Sequence, residues 1–389
     1  MKPPASRTWE QESNVVFDEE VLYQNRFKDP QTGIMPLRLT TMPFGNAHIY
    51  PEAPVSTPDG QRVIFARHHP PCGFRTFWIA DLTSLAIRQV TDEPDATPPA
   101  FTPDGSASYY FVGNTLWRMS PESFEREPIH QIAESFTLAA WTSTISHCGT
   151  RLAVAWMGDT EGGVLVIDLA TGQSRSVYTR EDIRNAHAQY CRGLGNLLLI
   201  QVNDGMERDS EGNLLRFTGD LGGHLEVIDD EGSDVRVIDI GRSPYERIQG
   251  HQCWLGTEHT VISTTHWHEK VTDPWRQNRI VTATTEDGSR RVICEGDDEA
   301  FTHVHTTLDG QFWISDCNRT ANIYVGSVST GRFKLFCNSG ASFGAHQTTH
   351  PHPFFLGDGK GIGWNSDLTG VTQVYVARIP DGFLDDLES

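Results

Sequence analysis

The histidines of this chain are where chemistry can be read first. There are sixteen, and nine of them fall in roughly the last third, among them His251, His266, His268, His303, His305, His346, His350 and His352. Three short segments concentrate them. One runs Ala345-His346-Gln347-Thr348-Thr349-His350-Pro351-His352-Pro353. His350 and His352 stand two apart, which places both on one face of an extended backbone. Gln347, three residues upstream, can curl back to offer its amide oxygen. The second segment is Thr302-His303-Val304-His305, just ahead of a turn at 308–310, and the third is Gly250-His251-Gln252-Cys253-Trp254. Three imidazoles and an amide oxygen form a donor set suited to a borderline divalent transition metal such as Mn, Fe, Co, Ni or Zn. Any one histidine ahead of a strand reads more simply as a hydrogen bond to neighbouring backbone. As a cluster, Gln347, His350, His352 and His303 read as metal ligands, with His305 an open alternative to His303.

The elements that must position these residues are strands. A Gly-containing turn followed by an alternating or apolar run recurs at 57–67, 102–112, 146–157, 193–202, 255–266, 307–316 and 356–367. Each copy is followed by a second run, at 74–84, 114–123, 162–172, 223–232, 279–288, 322–331 and 372–382. The Asp-Gly turns supply the positive-φ position of a tight hairpin, and the β-branched and aromatic runs fit a pleated, packed sheet. Copies recur every roughly 44 to 61 residues, the spacing of four-stranded propeller blades. One blade cannot bury both faces alone, so neighbours stack around an axis. The pattern predicts an all-β fold, a single seven-bladed β-propeller spanning 1–389. Segment 1–40, near 35–41, is expected to close the ring by pairing with the last blade. Equivalent positions of adjacent blades meet at the channel, so the histidine segments are expected to converge there. The longest intervals fall around blades four to six and mark that mouth as the functional side.

Composition excludes several classes. The formal net charge of −20 argues against nucleic acid and anionic membrane as partners. No stretch approaches eighteen uninterrupted apolar residues, so no transmembrane helix is expected. The polar N-terminal stretch lacks the features of a secretory signal. Seven cysteines without a CxxC (Cys72, Cys148, Cys191, Cys253, Cys294, Cys317 and Cys337) fit reduced thiols and a cytoplasmic location. No G-x-S-x-G, Walker, GxGxxG or HExxH motif occurs. Asp59, Asp104, Asp287, Asp309 and Asp358 are explained by turn chemistry. Arg67, Arg75, Arg192, Arg242 and Arg247 read as exposed side chains, able to bind a carboxylate but more simply solvated.

Against this background the chain resembles the oligogalacturonate lyases, a family of seven-bladed-propeller polysaccharide lyases. The resemblance is strongest from about 251 to 380. It rests on Gln347-x-x-His350-Pro351-His352-Pro353 followed by Ser366-Asp367-x-x-Gly370, on Thr302-His303 ahead of Asp309-Gly310, and on Gly250-His251 ahead of Thr260-Val261 and His266. It implies a Mn ion, or another divalent transition metal, held by Gln347, His350, His352 and His303, and a proton-abstracting His251. The family's substrate-binding Arg has no counterpart in residues 222–226, where His224 stands instead. His224, His266 and Arg242 are then the substrate-binding candidates, with Arg216 nearby. The implied activity is β-elimination of short oligogalacturonides to 4,5-unsaturated products, the partner being a small uronate oligosaccharide. Other readings are a lyase on a different uronate-containing oligosaccharide, a propeller hydrolase or lactonase, or a non-catalytic interaction platform of the TolB or WD type.

Overall fold

The turns between innermost and second strands show why this sequence folds into blades. In Thr57-Pro58-Asp59-Gly60 the Thr57 hydroxyl donates to Asp59 Oδ1 (2.5 Å), which also accepts the Gln61 N–H (3.0 Å). Gly60 takes φ +66°, a left-handed conformation that side chains resist. The same Thr–Asp bond recurs at Thr102–Asp104 and Thr307–Asp309, both 2.6 Å. After each turn the strand runs into the core. Phe312–Cys317 and Gly361–Ser366 are buried at every position. Such strands are packed on both faces, so each blade is covered by its neighbours.

The computed structural model describes residues 18–20 and 28–389, apart from 42, 70–73, 184–185, 212 and 221. Cys72 lies outside the described residues. Six four-stranded sheets, one five-stranded sheet and one separate two-stranded hairpin account for the described strands. The seven larger sheets are the blades of the expected propeller. Apolar clusters bridge the blades. Phe65 and Trp78 of the first blade pack in one cluster with Tyr110 of the second and Phe354 of the last. Ile314 of the sixth packs with Ile362 and Trp364 of the seventh. Trp254, Trp313 and Trp364 are among the largest fully buried side chains, and each typically contributes several kcal/mol, about 3–5 on truncation.

The last blade is composite. Its strands Phe354–Phe355, Gly361–Ser366 and Gln373–Arg378 are completed by Leu37–Arg38, with Leu37 opposite Val376 and Arg38 opposite Tyr375. Buried Thr40 donates to Gln373 Oε1 (2.6 Å), which also accepts from Asn46 Nδ2 (3.1 Å). The ring is therefore joined by chain from both ends.

The fourth blade carries an insertion. The hairpin of Glu207–Arg208 and Leu214–Arg216 interrupts it between Leu197–Val202 and His224–Asp229. Phe217, just beyond that hairpin, lines one mouth of the channel. No helix among the described residues is long and apolar enough to cross a membrane. The six described cysteines are free, five of them buried.

Candidate metal and catalytic site

The histidines sit deeper than sequence placed them. His251 and His303 lie within the innermost strands Glu246–Trp254 and Phe301–Thr306, not in loops ahead of a strand. Both occupy irregularities. Pairing shifts between Ile248 and Gln252 in the first strand, and between Phe301 and Val304 in the second. A bulge re-aims the side chains it carries, and here it turns an imidazole out of the ladder. Gly250 makes the first bulge possible at φ +83°. His350 and His352 follow a single 3₁₀ turn, Gln347–Thr349, and lead into Phe354–Phe355. The backbone there is not a simple extended run, because His352 takes φ +44°. A side chain held in that region costs about 1–3 kcal/mol and persists where the surroundings impose it.

The structure brings three of the expected ligands together. The ligand atoms of His303, His350 and His352 all lie within 4.8 Å of one another. Their tautomers can be assigned from partners. His303 Nδ1 faces the Asp316 carboxylate (2.8 and 3.0 Å), which puts its proton there and leaves Nε2 with a lone pair. That Nε2 is buried without a hydrogen-bond partner, and so is His352 Nε2. His350 Nε2 donates to the Gly344 carbonyl (3.0 Å), leaving Nδ1 free to ligate. Burial holds His352 well below the ordinary histidine pKa and also lowers His350, so both rings are neutral, the state that ligation requires.

Asp316 is the residue that sequence reading missed here. It is wholly buried, and besides the His303 ring it accepts the backbone N–H of His303 (2.8 Å) and of His352 (3.3 Å). One carboxylate thus orients one histidine of the cluster and ties together the two segments that bear it, the arrangement that holds metal-binding histidines elsewhere. Its signal was the Asp ending the 307–316 run. His48, also unforeseen, supports the cluster from the first blade. Its Nδ1 meets the Ile49 carbonyl (2.6 Å) and its Nε2 the carbonyl of Pro351 (3.2 Å), the residue between His350 and His352.

His251 stands beside the cluster, its ring 4.1 Å from that of His303. It lines a mouth cavity of about 680 Å³ together with Gln347, Tyr50, His187 and Gln249. Its Nδ1 is buried and unpartnered. Burial first, then His303, hold its pKa well below the ordinary value. Gln347 is exposed on the rim of that cavity, and its main-chain carbonyl accepts the His350 N–H (3.0 Å). His305 goes elsewhere. Its Nδ1 accepts the Phe355 N–H (3.3 Å), and its Nε2 lies 3.1 Å from Arg192, at the opposite end of the channel. Of the two open choices, His303 is the one in the cluster.

The substrate-binding candidates are placed differently from expectation. Buried His224 is held by carboxylates on both nitrogens, Asp204 (2.6 Å) and Glu226 (2.8 Å), leaving none for substrate. Arg242 pairs with the same Asp204 (3.2 Å). His266 hydrogen-bonds Gln277, which donates to Gln249 (2.7 Å), so it stands one residue behind the mouth wall. Arg67, read as exposed, is buried between Trp78 and Asn46 because its guanidinium stacks on the indole, 4.1 Å away.

No family model matches the chain. An oligogalacturonide lyase of Pectobacterium atrosepticum is 20% identical over 373 residues, covering 83% of this chain and 87% of that protein. An oligogalacturonate lyase of Dickeya dadantii is 30% identical over 98 residues, 20% of this chain and 25% of its own length. The chain resembles the oligogalacturonate lyases over most of its length. Solved structures agree on the fold. An oligogalacturonate lyase in complex with manganese superposes with a TM-score of 0.75 at 19% identity, over 92% of this chain and 96% of that one. An oligogalacturonate lyase from Vibrio parahaemolyticus gives 0.75 at 18%, over 95% and 98%.

Proposed function

We propose that this chain is a metal-dependent carbon–oxygen lyase that cleaves short oligogalacturonides by β-elimination to 4,5-unsaturated uronates. The observation carrying this reading is the cluster of His303, His350 and His352, with two buried unpartnered nitrogens, directly beside His251. Orphaned buried nitrogens cost roughly 1–3 kcal/mol each, and a cation with nitrogen affinity would satisfy them. With the Gln347 amide oxygen as a fourth donor, the set fits Mn²⁺ or another borderline divalent ion. Bound there, the ion would supply positive charge to a substrate carboxylate, easing removal of the proton alpha to it.

The chain's own residues do the rest. Asp316 fixes the His303 ring. The mouth receives the sugar and His251, neutral in its buried setting, takes the C5 proton. The C5–H electron pair becomes the C4–C5 double bond, and the C4–O bond breaks with its pair going to the leaving oxygen. The free thiols fit a reducing, cytoplasmic setting.

The test is a pair of variants. His251→Ala is expected to retain metal and lose product formation, whereas His350→Ala loses both, measured by metal analysis and by absorbance of the unsaturated product. Unsaturated product at the wild-type rate from His251→Ala would overturn the assignment.

A further inference from the structure

The mouth that holds His251 has an electrostatic character at odds with the chain around it. The sequence carries 51 acidic against 31 basic residues. Yet among the described residues lining this cavity there is no Asp or Glu, and Arg75 is the one Lys or Arg. Glu52, behind the wall, is engaged by His187 (2.5 Å).

Arg75 is the second residue of the strand Phe74–Asp81, opposite His68 on Arg62–His69. Its guanidinium has neither a carboxylate nor a hydrogen-bond acceptor among the described residues. Its one contact of note is the Phe77 ring, 5.4 Å away. Other arginines of the fold are engaged by carboxylates: Arg242 by Asp204, and Arg180 by Asp182 and Glu226. A half-buried guanidinium left unpaired beside a cavity is costly unless a ligand completes it. Burial, and then the Arg75 charge, push the His68 pKa down, so the pair presents a single positive charge, that of Arg75.

We infer that Arg75 binds the carboxylate of the sugar adjoining the one that undergoes elimination, making the site selective for two contiguous uronates. This rests on the reading proposed above and adds to it a residue and a substrate requirement. An oligouronate carries one carboxylate per sugar. The carboxylate of the reacting sugar belongs at the histidine cluster, where the C5 proton is made acidic. The next carboxylate needs its own counter-charge within the same mouth, and a planar guanidinium can take it through two hydrogen bonds. A neutral neighbouring sugar would leave Arg75 unpaired.

The experiment is calorimetric binding in the presence of Mn²⁺, with turnover followed in parallel. The probes are digalacturonate and digalacturonate methyl-esterified on its non-reducing sugar. Wild type is expected to bind the diacid more tightly than the monoester. Arg75→Ala should weaken diacid binding by about 10- to 100-fold, the loss of a hydrogen bond to a charged group, and leave monoester binding unchanged. Arg75→Lys should recover part of the loss, which rules out misfolding as its cause. Equal diacid affinity in wild type and Arg75→Ala would overturn the inference while leaving the lyase reading intact. So would failure of wild type to prefer the diacid. Arg75-dependent diacid binding without unsaturated product would sustain the inference and contradict the lyase reading.

Discussion

At the scale of single residues, Asp316 matters to the cluster as much as the histidines do. It accepts from the His303 ring and from two backbone N–H groups of the ligand segments. Asp316→Asn keeps the shape but presents an amide in place of a carboxylate, which no longer enforces the His303 tautomer. We expect about 10- to 100-fold weaker metal binding, the usual cost of losing such a partner, measured by competition with a calibrated chelator. Unchanged affinity would mean that the His303 orientation does not matter. The candidate ligands stood out in the sequence, because Gln-x-x-His-Pro-His concentrates donors within a few positions. Asp316 was not, since an Asp closing a strand reads like any other turn-proximal Asp. Nor could spacing choose between His303 and His305. The choice depends on the bulge at 302–303, which separates the two residues of the His-x-His pair.

At the scale of elements, the repeated runs revealed the second and third strands of each blade, because these are buried on both faces and carry the strongest apolar signal. The innermost strands did not stand out. Ala100–Phe101, Gln189–Tyr190 and Phe354–Phe355 are two residues long. Those bearing His251 and His303 are polar, since they line a channel. That is why these histidines read as loop residues. The turns are testable through acid stability. Asp104 is held down to about 2, first by the Thr102 hydroxyl and then by the Ser106 backbone N–H. A carboxylate depressed in the folded state contributes stability above its unfolded pKa, near 4, and loses it as pH falls toward 2. Thr102→Val removes the main cause. The variant should melt below wild type at neutral pH, with the gap narrowing between pH 4 and pH 2 in a calorimetric series. A gap independent of pH would assign the effect to packing alone.

At the scale of the molecule, the ring depends on a short strand from the beginning of the chain. Leu37–Arg38 covers the edge of Gln373–Arg378, and fully buried Leu39 and Thr40 continue the closure. Deleting residues 1–40 would expose that edge and remove these contacts, a loss of roughly 3 kcal/mol or more by burial and hydrogen bonding. The expected outcome is a clearly lower melting temperature with increased self-association, seen by calorimetry and light scattering. An unchanged melting temperature would show that the last blade is stable without its outer strand. Seven blades were readable because a tight turn followed by an apolar run recurs in each, with the Thr–Asp bond itself at three of the turns. The uneven use of the ring was readable only in part. The last three blades carry the cluster and His251, as their histidine content suggested, while His48, Tyr50 and Arg75 bring the first blade into the same mouth.

The central claim is that this mouth performs metal-dependent β-elimination on a uronate chain. It is tested most directly by absorbance of the unsaturated uronide when purified protein meets digalacturonate, with and without chelator. Product is expected with Mn²⁺ present, with its loss on chelation and its return when Mn²⁺ is restored. No product with Mn²⁺ supplied, or product formation indifferent to the chelator, would contradict it.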